Sequence, residues 1–161
     1  MKMTIRTAEE LGITGNALDD VRRGALLHDI GKMGVSDTIL LKPGPLTDGE
    51  KVLMRRHPEF ARQVLESISY LGRAIDIPYC HHEKWDGSGY PRGLAGEQIP
   101  FSARIFSVVD VWDALSSDRP YRAAWSKSRI REYLTEQAGK DFDPAVVAVF
   151  IRILDEQPAD G

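Results

Sequence analysis

Apolar residues recur along this chain at intervals of three and four, the spacing of helices that bury one face. Ile5, Ala8 and Leu11 mark a short first helix ending near Gly12, and Leu18, Val21 and Ala25 mark a second that runs into His28. Lys42-Pro43-Gly44-Pro45 then breaks the chain. Thr47 and Glu50 follow with capping-box spacing and open a helix expected to carry His57. A segment from about Ile68 leads to His81-His82. Asp86-Gly87-Ser88-Gly89-Tyr90-Pro91, with Gly93 and Gly96 beyond it, predicts a long loop. Ile105, Val108, Val109, Trp112 and Leu115 predict a helix from near Ser102, with Asp110 and Asp113 on a buried or half-buried surface where a carboxylate needs a partner. Two last helices follow. One lies around Ile130 to Leu134 and stops near Gly139; the other is capped by Asp143 with Pro144 at its first position. The expectation is an all-α fold without internal repeats.

Length and composition narrow the picture. With 161 residues, 42% of them hydrophobic, the chain suits one compact domain able to bury a core around a polar site. A formal charge of −3 supplies no broad basic face, which argues against long nucleic acids and leaves small phosphorylated ligands open. The single cysteine, Cys80, makes no internal disulfide and suits a reducing compartment. No stretch approaches the roughly 18 apolar residues of a membrane span, and the N-terminus lacks a signal peptide's apolar centre. These features predict a soluble, cytoplasmic protein without membrane insertion.

The chemistry concentrates in the four histidines, which occupy three places: His28-Asp29, His57-Pro58 and His81-His82-Glu83. Each alone reads as an ordinary capping or core histidine; their joint pattern does not. Imidazole with carboxylate suits iron, manganese, zinc or nickel, and one cysteine excludes a zinc finger. Paired metals suit phosphate esters, because one lowers the pKa of a bound water while both neutralise charge on the phosphoryl oxygens and leaving group.

His28-Asp29-Ile30-Gly31-Lys32 and the run from His81-His82-Glu83 to Gly89-Tyr90-Pro91 resemble the signatures of HD-GYP domains. Leu41 to Thr47, Ala103-Arg104-Ile105, Asp110 to Leu115 and Asp118-Arg119-Pro120-Tyr121-Arg122 resemble the same family, in its order, so the resemblance covers nearly the whole chain. It implies a single HD-domain helical bundle over residues 1–161 with a long glycine-rich GYP loop. The implied activity is a metal-dependent phosphodiesterase that opens cyclic di-GMP to pGpG, and in some members onward to GMP. Two divalent ions are implied, iron or manganese ahead of zinc or nickel. By the family's motif Asp29 bridges them, His28 and Asp110 serve one, and His57, His81 and His82 serve the other. Family members usually carry another metal-binding histidine upstream of the His-Asp pair. None precedes His28 here, so a first helix truncated at its start is expected, with weaker filling of one metal position.

Around this centre, Lys32 alone reads as a helix-end cation; the resemblance assigns it to a substrate phosphate and to catalysis beside Asp29. If the helix continues past His28, Lys32 lies one turn on and reaches the same pocket. Arg119 and Arg122, three apart, suit a clamp on one phosphodiester, against the alternative of solvated surface charge. Tyr90 divides between contact with the ligand and a docking surface for attached or interacting signalling domains. Trp85, Trp112 and Trp125 read as core or rim, Asp113 as a hydrogen-bond acceptor for a ligand histidine or for Arg119, and Glu83 as an outer support of the ligands. A catalytically weak module that senses cyclic dinucleotides or docks a partner is the competing class, which the intact His28-Asp29 pair disfavours. A phosphohydrolase of ordinary nucleotides is disfavoured by the Tyr90 loop. A homodimer stays open.

Overall fold

The computed structural model describes residues 1–118 and 122–156. Its helices are α1 (Lys2–Glu10), α2 (Gly15–Leu27), α3 (Asp37–Leu40), α4 (Asp48–Met54), α5 (His57–Leu65), α6 (Asp76–Cys80), α7 (Phe101–Ser116), α8 (Lys127–Glu136) and α9 (Pro144–Asp155). Tighter 3₁₀ turns cover Ile30–Gly34, Ser69–Ile75 and Gly96–Gln98. The fold is all-α. No strand is present among the described residues, where isolated bridges join Asp86 with Ala95 and Ala138 with Phe142.

α7 is the central element. Ala103, Ile105, Phe106, Val108, Val109 and Leu115 are buried along it, and α1, α6, α8 and α9 pack around it. Val146, Val147, Phe150 and Ile153 of α9 are likewise buried, and all but Ile153 join the same core cluster. Asp143 starts α9 as expected. Its carboxylate accepts from the Ala145 amide at 2.9 Å, satisfying one amide of the first turn, and from the Arg104 guanidinium at 2.8 Å. This links α9 to the middle of the chain. No helix among the described residues is long and apolar enough to cross a membrane.

One local expectation is corrected, and one condition is not met. The Thr47–Glu50 capping box is present and opens α4, but that helix ends at Met54 and does not carry His57. His57 begins a new helix, because Pro58 lacks an N–H and fits only a first turn. Nor does α2 continue past His28. That residue is its C-cap, and the chain tightens into the 3₁₀ turn that carries Lys32.

This 3₁₀ turn lies directly on α5. At Gly31 a Cβ would fall 1.8 Å from the His57 carbonyl oxygen and 2.5 Å from the Ala61 amide nitrogen. Only a residue without a side chain lets the two backbones approach, and this approach places Asp29 beside His57. Gly31→Ala should therefore destabilise the fold at the upper end of the roughly 1–3 kcal/mol typical of overpacking. Urea denaturation measures it, and an unchanged midpoint would contradict the close approach.

Candidate metal centre

Three of the four histidines are oriented by the same device. The Nδ1 of His28 lies 2.9 Å from the Ala25 carbonyl, that of His57 2.9 Å from the Met54 carbonyl and that of His81 3.0 Å from the Ile77 carbonyl. A carbonyl only accepts, so in each ring Nδ1 carries the proton and donates, and in the neutral ring Nε2 presents a lone pair. The Nε2 atoms of His57 and His81 are 3.5 Å apart. Ligating atoms of His57, His81 and His82 all lie within 4.8 Å of one another. Inward-facing lone pairs at this range repel unless a cation is shared between them. The donor set fits a divalent metal accepted by imidazole nitrogen.

Electrostatics agree with that fit. Burial lowers the pKa of His57, and burial with neighbouring imidazoles lowers His81 to about 4 and His82 to about 2. All three rings are therefore neutral and ready to donate near pH 7. His28 behaves differently. Burial opposes its charged form, but hydrogen bonds with Asp29 and the Ala25 carbonyl outweigh burial and raise its pKa.

Asp29 lies where the histidines meet. Its Oδ2 is 3.3 Å from His28 Nε2 and 2.6 Å from Lys32 Nζ, and its Oδ1 is 3.7 Å from His57 Nε2. Burial works against the carboxylate, yet hydrogen bonds from His28 and Lys32 hold its pKa far below the usual range. Asp110 comes from α7 and is half-buried; burial first, and the charges of Asp29 and Asp113, raise its pKa against the pull of His28 and Lys32. His28, Asp110 and Asp113 line one cleft of about 320 Å³ with Met1, Thr4 and Phe106. Asp113 is exposed at this cleft and makes no hydrogen bond to a ring nitrogen among the described residues; Arg119, the other partner expected of it, lies outside them.

The glycine-rich loop folds back onto the histidines. Glu83 is buried, and its two carboxylate oxygens accept from the Arg92 and Leu94 amides at 2.8 and 2.9 Å. It ties the loop down rather than bonding a histidine. At Gly89 a Cβ would fall 2.3 Å from the Lys84 amide nitrogen, so a bare backbone is needed there too. The Tyr90 amide donates to the His82 carbonyl at 3.2 Å, and its ring stacks on the His82 imidazole with centroids 4.8 Å apart. Arg55, which the sequence reading passed over, lies over the Tyr90 ring at 5.3 Å. No spacing rule connects residues so far apart in sequence.

The two predicted phosphate-clamp arginines fare differently. Arg122 is exposed, donates to the Ala114 carbonyl near the end of α7, and lies 5.9 Å from the Trp125 ring centre. Arg119 lies outside the described residues.

Fold and cluster together define an all-helical domain with a histidine site able to hold a divalent cation. The chain belongs to the HD domain family, whose model matches residues 2–146. It is 44% identical over 147 residues to the "Cyclic di-GMP phosphodiesterase response regulator RpfG" of Xanthomonas campestris pv. campestris, covering 90% of this chain and 39% of that protein. It is 42% identical over 157 residues to the "Cyclic di-GMP phosphodiesterase PA4108" of Pseudomonas aeruginosa, covering 97% of this chain and 38% of the relative. Against a "3'3'-cGAMP-specific phosphodiesterase 2" of Vibrio cholerae, identity is 39% over 153 residues, covering 94% of this chain and 29% of the relative. The chain thus spans two-fifths or less of the length of these relatives. The fold is shared with a solved HD-GYP-type protein of Bdellovibrio bacteriovorus, Bd1817. The TM-score is 0.72 at 22% identity, over 95% of this chain and 49% of that one. A solved cyclic GMP-AMP phosphodiesterase of Vibrio cholerae, V-cGAP3, gives a TM-score of 0.69 at 16% identity, over 96% of this chain and 42% of that one.

Acid should destabilise the metal-free domain in two stages. Between the unfolded histidine pKa of about 6.5 and the lower folded values, the unfolded chain binds protons that the folded His57, His81 and His82 refuse. Stability is lost as pH falls through that window, by up to about 1.4 kcal/mol per pH unit per histidine, partly offset by His28, whose raised pKa favours the folded state. Below about pH 4 protonation of Asp29 removes more. Urea titrations of chelated protein at pH 7, 6 and 5 test this; stability that rises toward pH 5 would contradict the neutral, buried cluster.

Proposed function

We propose that this domain is a metal-dependent phosphodiesterase that opens cyclic di-GMP to pGpG, with further cleavage to GMP as a second step. The observation that carries the reading is the gathering of His57, His81 and His82 with Asp29 against them, within a chain more than 40% identical to relatives named cyclic di-GMP phosphodiesterases. His57, His81 and His82 would hold one divalent ion and His28 with Asp110 a second, with Asp29 between them; iron or manganese suits this mixed nitrogen and oxygen set, ahead of zinc or nickel. Bound there, the ions supply an activated water and neutralise charge developing on the phosphoryl oxygens.

The chain's own residues prepare that site. The Nδ1–carbonyl bonds keep three imidazoles turned inward before any ligand arrives, so little reorganisation is needed. Lys32 Nζ, held 2.6 Å from Asp29, brings a cation to the site and is assigned to a substrate phosphate. Arg122, with Arg119, is assigned to the second phosphate. The gathered ligand set argues against a weak sensing module, because a cluster of buried, neutralised histidines is costly to keep without a cation. Hydrolysis of 3'3'-cGAMP is the second reading, favoured by a relative of that name at 39% identity.

Asp29→Ala should abolish hydrolysis while circular dichroism shows the helices retained; parental activity at equal metal content would remove Asp29 from the mechanism. Lys32→Met and Arg122→Ala should each weaken nucleotide binding by roughly 1.5–3 kcal/mol, as for a charge-assisted hydrogen bond, at unchanged metal content. Cyclic di-GMP and 3'3'-cGAMP, assayed side by side with product identification, decide between the two substrates.

A further inference from the structure

His82 is the exception among the four histidines. No hydrogen bond to either of its ring nitrogens is present among the described residues, whereas the other three each give Nδ1–H to a backbone carbonyl. The second torsion of a histidine is broad, so an imidazole without such a bond turns easily away from a ligating geometry. A ligating histidine ordinarily donates its other ring N–H to an outer partner for this reason.

What His82 has instead is rings. Tyr90 lies on it nearly parallel, at 4.8 Å and 24°. His57 meets it edge-on at 5.0 Å and 86°, and His81 is tilted against it at 4.0 Å and 41°. Tyr90 is itself restrained. Its amide bonds the His82 carbonyl, Gly89 before it permits the close return of the loop, and Arg55 lies over its ring. The Tyr90 hydroxyl makes no hydrogen bond among the described residues, so the ring is the part of the side chain that is engaged.

We propose that Tyr90, backed by Arg55, is the positioning residue of His82: its ring sets the imidazole plane that a hydrogen bond sets in the other three. This role rests on the reading of His57, His81 and His82 as metal ligands. It differs from both roles expected of Tyr90 from sequence, a contact with the ligand or a docking surface. It also accounts for the glycine beside it, because a loop held off the His82 backbone could not lay the ring flat. Arg55 adds a cation–π contact and ties the end of α4 to the loop, two residues before His57.

Cobalt(II) titration of the chelated, purified protein tests this through calorimetry and through the ligand-field absorption of the bound ion. Tyr90→Phe keeps the ring and should bind cobalt within about twofold of the parent with the same absorption spectrum. Tyr90→Leu keeps bulk without the ring; it should weaken cobalt about three- to tenfold, the equivalent of one aromatic pair, and alter the spectrum. Arg55→Gln should weaken it about two- to fivefold. His82→Ala is the reference for loss of the ligand. If His82→Ala weakens cobalt binding but Tyr90→Leu leaves affinity and spectrum at parental values, the positioning role falls while the metal site stands. A raised KM for cyclic di-GMP in that variant would then return Tyr90 to the substrate. If His82→Ala changes neither, the metal assignment of the cluster falls and this role with it.

Discussion

The centre depends on one constraint: several neutral imidazoles must point their Nε2 atoms at a common place where no proton holds them. His57 and His81 do so by giving Nδ1–H to a carbonyl three or four residues earlier, Met54 and Ile77; His28 gives Nδ1–H to the Ala25 carbonyl in the same way, while its Nε2 faces Asp29 Oδ2 at 3.3 Å. These carbonyls lie in the last turns of α2, α4 and α6, where backbone amide partners run out, although the Ile77 carbonyl also accepts from the His81 amide at 3.0 Å. The ends of three helices thus provide acceptors for the rings. Their negative ends also favour a cation, with the fuller effect from the thirteen-residue α2. The short helices, the break before Pro58 and the stop at His28 all follow from needing helix ends, not helix middles, at this place.

Charge is arranged around that frame with opposite tendencies. Burial keeps His57, His81 and His82 neutral, whereas Asp29 stays ionised because His28 and Lys32 donate to it. A carboxylate facing uncharged nitrogens is a ligand set for a divalent ion. Lys32 reaches Asp29 across the three-residue spacing of a 3₁₀ turn. Gly31 in the same turn allows the turn to lie on α5, so one short segment supplies the acid, the cation and the close approach.

The loop after His82 is held from several sides. Glu83 binds two of its amides. The Trp85 and Asp86 amides bond the carbonyls of Asp141 and Lys140, and Lys84 Nζ bonds the Asp141 carboxylate at 2.9 Å, joining the loop to the turn between α8 and α9. With the Arg104–Asp143 pair beside it, the C-terminal helices act as a buttress for the loop. These helices contribute through packing, and none of the residues assigned to the centre lies on them.

The all-helical character, most helix positions and the residue types of the centre were legible along the chain. Those properties are local: apolar period, caps such as Thr47–Glu50 and Asp143, and histidine paired with aspartate are written in neighbouring residues. The sequence also carried the family resemblance that the HD domain match bears out. It misread the helix expected to carry His57, because helix ends here answer to packing against other segments as well as to propensity. Contacts between distant segments set the rest: Glu83 holds the loop, Asp113 faces solvent, and Tyr90 lies on His82 with Arg55 over the Tyr90 ring. Each of these joins positions distant in sequence or depends on which face of a helix the rest of the chain covers, and a one-dimensional pattern does not contain that information.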